Sequence, residues 1–105
     1  MTEYASTLYA KLLGETAQIG WLELQPFFAR GQVLWVDARL DLVEVAVAVA
    51  QDDHDKVSAW LQRGQVSKID EARAQDCLER DPDLWAVVVS PWVLAQERVS
   101  GAPLH

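Results

Sequence analysis

The stretch Leu40–Asp55, LDLVEVAVAVAQDDHD, decides the architecture, because its letters satisfy two periods at once. Val43, Val45, Val47 and Val49 alternate with Glu44, Ala46, Ala48 and Ala50, which is the period of a β-strand. Val43, Ala46, Val47 and Ala50 also fall at i, i+3, i+4 and i+7, which is one face of a helix. A strand here would need DARL, Asp37–Leu40, as the hairpin link to Val33–Val36, yet that link has no Gly or Asn to supply the usual turn conformations. Asp41 just before the apolar run is a better N-cap, and the alanines favour helix. The valines oppose this by only about a few tenths of a kcal/mol each. The stretch Leu42–Ala50 is therefore read as a buried helix.

Upstream, Ala5, Leu8, Tyr9, Leu12 and Ile19 follow one amphipathic helix, with Thr2 as its cap and Gly14 as a weak point. In GWLELQPFFARG, Pro26 either sits in the first turn of a short helix or kinks a longer one, and Gly31 is a natural stop. QVLWVD then reads as a strand. Downstream, DDHDKVSAWLQRG reads as a helix capped by Asp52 or Asp53, with Val57, Trp60 and Leu61 inward and Gly64 at its end. Val66 is placed in a short third strand, and Ser67 with Asp70 resembles a capping box. The helix that follows would bury Ile69, Ala72, Cys77 and Leu78. DLWAVVVSPWVLAQE is strand-like: Trp85, Val87 and Val89 point one way, and Ala86 and Val88 the other, so both faces are covered. Pro91 cannot donate to a ladder, which places it at an edge or bulge. Residues 98–105 read as a frayed tail.

The chain has 105 residues, enough for one core and one domain. With 16 acidic and 9 basic residues the net charge is −7, which repels polyanions, so nucleic acid and anionic membrane surfaces are poor partners. Cys77 is the only cysteine, so no intrachain disulfide forms, in keeping with a reducing compartment. MTEYASTLYAKLLG lacks a basic region followed by an apolar run, and no tract reaches the ~20 apolar residues of a membrane helix. A soluble cytoplasmic protein is the expectation.

Five motifs in order, KLLGET, FFARG, LDLVEVAVAVAQDD, AWLQRG and LWAVVVSPWVLAQE, resemble a bacterial family of uncharacterised short proteins, domain of unknown function 2288. The resemblance spans Tyr9 to Glu97. It implies a single-domain bacterial protein of α/β character with no assigned activity, and it offers no active-site residues to carry over.

Candidate chemistry is sparse. Asp52, Asp53 and His54 have metal-ligating side chains, but consecutive residues at a helix start point apart, and capping with the helix dipole explains them more simply. No metal and no cofactor is expected. Asp37 and Asp41 could serve acid–base work or hold a ligand at the end of the first strand, although a turn aspartate and an N-cap account for both. Ser90 lacks a nucleophile elbow, and Cys77 on an apolar face among acids should be inert. A winged helix-turn-helix can be sketched from Val57 onward, but its second helix carries Asp70, Glu71, Asp76 and Glu79 against Arg73 and Arg80, which phosphate would repel. Trp92 beside Pro91 suits a protein contact formed with Trp85 and Leu94, or a small-ligand groove formed with Phe27 or Phe28.

The expectation is thus α/β, or α+β, with about five helices on a two- or three-stranded sheet. The leading function is a non-enzymatic module that binds itself or another protein. The runner-up is a small-ligand-binding protein or minor enzyme at Asp37 and Asp41.

Overall fold

The computed structural model describes residues 3–98, with side chains from Thr7 onward. The predicted cap at Thr2 and residues 99–105 of the expected tail lie outside that range, whereas Arg98, the first residue of that tail, donates its N–H to Asp83 O at 2.8 Å. In chain order the elements are α1 (Glu3–Glu15), β1 (Ala17–Ile19), α2 (Trp21–Ala29), β2 (Val33–Val36) and α3 (Leu42–Ala50). Then come α4 (His54–Gln62), β3 (Val66–Lys68), α5 (Glu71–Arg80), β4 (Leu84–Val89) and β5 (Trp92–Glu97).

The ambiguous tract is helical. The Asp41 carboxylate accepts the backbone N–H of Val43 at 2.9 Å and of Glu44 at 3.4 Å, satisfying donors that a helix start leaves open. Leu42, Val43, Val45, Ala46 and Ala48 are buried, and that burial outweighs the weak helix propensity of valine. Asp53 caps α4 through Lys56 N–H, and Gly64 ends that helix region at φ 70°, where a side chain would be strained. Pro26 lies inside α2 and not in its first turn, and Gly31 follows the helix at φ 70°.

Among the described residues the sheet has five strands in the order β1-β4-β5-β2-β3, so the expected two or three are exceeded. Two features account for the difference. The first helix stops at Glu15, where the Thr16 hydroxyl donates back to Leu12 O at 2.8 Å, and Ile19 enters β1 instead, pairing with Leu84. The tract around Pro91 is not an edge. It is the turn of a β4–β5 hairpin, and β5 pairs antiparallel with β4 and parallel with β2. The sheet edges are the short strands β1 and β3. With helices and a mixed sheet in one unit, the domain is α+β.

Strand alternation divides the core in two. Leu34, Val36, Val66, Val87 and Leu94 face α1 and α3, while Val33, Trp35, Leu84, Ala86, Val93 and Ala95 join Trp21, Leu24 and Cys77 from α2 and α5. Trp85, Val87 and Val89 do share a face, but Val88 on the other face is 58% exposed, so cover there is incomplete. Asp70 itself caps α5 by accepting Arg73 N–H at 2.8 Å, and Ser67 belongs to β3, so the expected capping box is absent. In α5 the inward residues are Ala74 and Cys77, whereas Ala72 and Leu78 are exposed. No helix among the described residues is long and apolar enough to cross a membrane.

Candidate functional site

Asp37 and Asp41 stand where β2 ends, and each carboxylate has its own partners. Asp37 accepts from Arg39 through the backbone N–H at 2.8 Å and through Nε and Nη2 at 3.1 Å. Those bonds, the guanidinium's first, hold the Asp37 carboxyl below the usual carboxylate range. Asp41 caps α3 and also accepts the Tyr9 hydroxyl at 2.6 Å. Burial, and then that bond to a carboxylate, pushes the Tyr9 hydroxyl up to about 12. The geometry here is that of a clipped turn and a shared cap that moors α1 on α3.

A concave site lies at the opposite end of the sheet. Val36 pairs with Val66, whereas Leu34 pairs with Lys68, so β3 runs away from Asp37 toward the end where β5 begins. There the last residues of β3 and β4 meet Trp92 and the corner between α3 and α4, enclosing a groove of about 530 Å³. This lies within the range of roughly 300–1,000 Å³ typical of small-molecule pockets. Its apolar wall comes from Leu34, Val66, Val89 and Trp92 of the sheet, Val49 and Ala50 of α3, and Val57 and Leu61 of α4. Leu61 is 48% exposed, so the groove presents hydrocarbon to solvent.

Its polar groups are few. Asp52, Asp53 and His54 line the α3–α4 corner, Lys68 ends β3, and Ser90 lies in the β4–β5 turn with Pro91. Asp52 has φ 58°, and the N–H of Asp53 returns to Ala48 O at 2.9 Å, closing the C-terminus of α3 with a left-handed residue. That backbone shape turns the chain directly into α4 and brings the aspartates to the groove's rim. His54 Nε2 is 3.3 Å from the Asp52 carboxylate, and both side chains are more than four-fifths exposed. The Lys68 ammonium sits over the Trp92 ring, 5.5 Å from its centroid. Among the described residues, no group of three or more His, Cys, Asp or Glu is placed to hold a metal ion.

The residues singled out in the sequence are therefore dispersed. Trp92 lines the groove, but Phe27 and Phe28 pack on the other face of the sheet and do not share it. Asp52, Asp53 and His54 reach it, while Asp37 and Asp41 are at the far end. Leu94 is wholly buried, and Trp85 is half-buried beneath the Arg98 guanidinium, 5.6 Å from its ring. Lys68 and Leu34 carry no local signal, because only strand pairing brings them beside Trp92. Cys77 is buried in the second core, and burial, with Asp76 beside it, pushes its thiol up.

Comparison with known proteins places the chain by family and fold. A family model described as a protein of unknown function, DUF2288, matches residues 7–97. A solved structure, the NMR solution structure of PA1075 from Pseudomonas aeruginosa, is 68% identical. That match covers 100% of this chain and 97% of the other, with a TM-score of 0.80. Among curated proteins none matches.

Proposed function

We propose that this chain, which belongs to the DUF2288 family of proteins of unknown function, is a small-ligand-binding protein whose site is the groove at Trp92. The observation that carries the reading is the groove itself: about 530 Å³ of mostly apolar space with a few polar groups in its lining. That combination binds by burying hydrocarbon and orients by those polar groups. It moves the ligand site from the Asp37 end of the sheet to the opposite end. The test is a titration with neutral aromatic and branched aliphatic fragments followed by ¹H–¹⁵N spectra. Shifts should cluster at Val57, Lys68, Val89 and Trp92, and a groove-filling Val57→Trp substitution should abolish them. Shifts scattered over the surface, or unchanged by Val57→Trp, would sink the idea.

Self-association through the hairpin is the second reading. Exposed Pro91 and half-exposed Leu61 border the same groove, so a second copy could seat there. Light scattering over a range of concentrations separates the two readings. A dimer split by Trp92→Ala favours self-association, and a monomer throughout leaves the groove to a small molecule.

A further inference from the structure

Taking the groove as the ligand site, we infer that its ligand is a cation with an apolar body, an organic amine or ammonium. The wall offers only hydrocarbon and the Trp92 indole, so the body of the ligand must be apolar. The charge is read at the rim. Asp52 and Asp53 both line the groove there, and the Asp52 side chain is 82% exposed, so a charged head can meet it without leaving water. The Asp53 carboxylate is partly engaged in capping α4, which leaves Asp52, shared with His54 Nε2 at 3.3 Å, as the principal counter-charge.

An anionic head has less to meet, because the His54 imidazole in the same lining already turns its Nε2 to Asp52 at 3.3 Å. Lys68 is the lining ammonium, and it is already held over the Trp92 ring at 5.5 Å. That contact also shows the indole accepting a cation from this protein's own chain. At longer range the net charge of −7 concentrates cations near the surface and repels anions. Lys68 thus acts against such a ligand twice, by occupying the ring and by adding positive charge to the lining.

The two side chains therefore have opposite expected effects. Asp52 occupies a left-handed position, φ 58°, that glycine adopts without a side-chain penalty, so Asp52→Gly should hold or raise the melting temperature while removing the counter-charge. Lys68 is exposed, and Lys68→Met keeps an apolar stem while freeing the ring.

The experiment titrates the full chain and both variants with three probes sharing one apolar body: 2-naphthylmethylamine, 2-naphthalenemethanol and 2-naphthoate. Affinities are read from ¹H–¹⁵N shifts. The amine should bind about ten-fold tighter than the alcohol or the acid. Asp52→Gly should bring the amine down to the alcohol's affinity, and Lys68→Met should tighten the amine by roughly three-fold. Tightest binding of the naphthoate, or equal binding of all three, overturns the cation assignment and leaves the groove reading standing. Shifts from none of the three overturn both.

Discussion

Gln96 shows how a single side chain joins distant parts of this chain. It is 4% exposed, and its amide donates to Asp37 O at 2.9 Å and to Leu40 O at 2.7 Å, so β5 holds the loop that leads into α3. Gln96→Leu keeps much of the volume but leaves two carbonyls without their donor. It should cost about 1–3 kcal/mol, read as a lower urea midpoint with an unchanged slope. A midpoint within error of wild type would mean the loop carbonyls find water. Tyr9 makes a second distant bond, to the cap of α3, and there the sign matters. Its native value is raised from 10.0 to about 12, so the folded state holds the proton more tightly than the unfolded chain does. The stabilisation is complete below pH 10 and is lost as pH rises through about 12. Alkaline unfolding followed by circular dichroism should therefore lose stability across that window in wild type, and Tyr9→Phe should flatten this part of the loss. Parallel curves for the two proteins would show that the bond does not couple to folding.

Arg80 acts between elements, clasping the end of α5 to the end of β5. It donates from Nε and Nη2 to Asp76 at 2.8 and 2.7 Å, and from Nη1 and Nη2 to Glu97 at 3.0 and 2.9 Å. Those bonds from Arg80 hold both carboxyls below their usual range. A lowered native value gives stability that is present above the ordinary carboxylate range and lost as pH falls through the native one. Arg80→Ala should therefore be less stable than wild type at neutral pH, with a deficit that shrinks by about pH 3. Urea midpoints at the two pH values measure it, and a deficit that stays constant with pH would assign the loss to packing of the side-chain stem. The elements themselves were legible in the sequence wherever a cap or stop is local. Asp41, Asp53, Gly31 and Gly64 each mark a boundary within the residues that form it, whereas Asp70 is the cap of α5 where Ser67 was expected to be. β1 was not legible, because three residues carry no period and its pairing to Leu84–Ala86 is set by the sheet. The β4–β5 hairpin was missed for a different reason. Its turn is made by Ser90 and Pro91, and Pro91 was read as the mark of an edge or bulge. The groove was legible only in pieces: Trp92 and the Asp52–His54 corner stood out, but strand pairing is what sets Lys68 and Leu34 beside them.

Across the whole molecule, the strand order sets which parts open first. β5 is bonded to β4 on one side and β2 on the other, and Val93, Leu94 and Ala95 are 4%, 0% and 0% exposed. These amides can exchange with solvent only when the two core halves separate, which is global unfolding. β1 has a single partner, three residues, and two of them exposed, so freeing it exposes little apolar surface. Short edge strands of this kind also limit pairing with another chain. The end of the sheet that carries the groove is intermediate, because β3 is an edge yet its own Val66 is wholly buried. Native-state hydrogen exchange should therefore rank the amides β1, then β3, then β5, with β1 faster than β5 by at least about a hundred-fold. A ligand in the groove should slow β3 and the end of β4 without moving β1, since stabilisation by binding reaches only openings that destroy the site. If β1 instead exchanged as slowly as β5, the sheet would open as one unit from edge to edge. Ligand protection would then spread over every strand and could no longer locate the site.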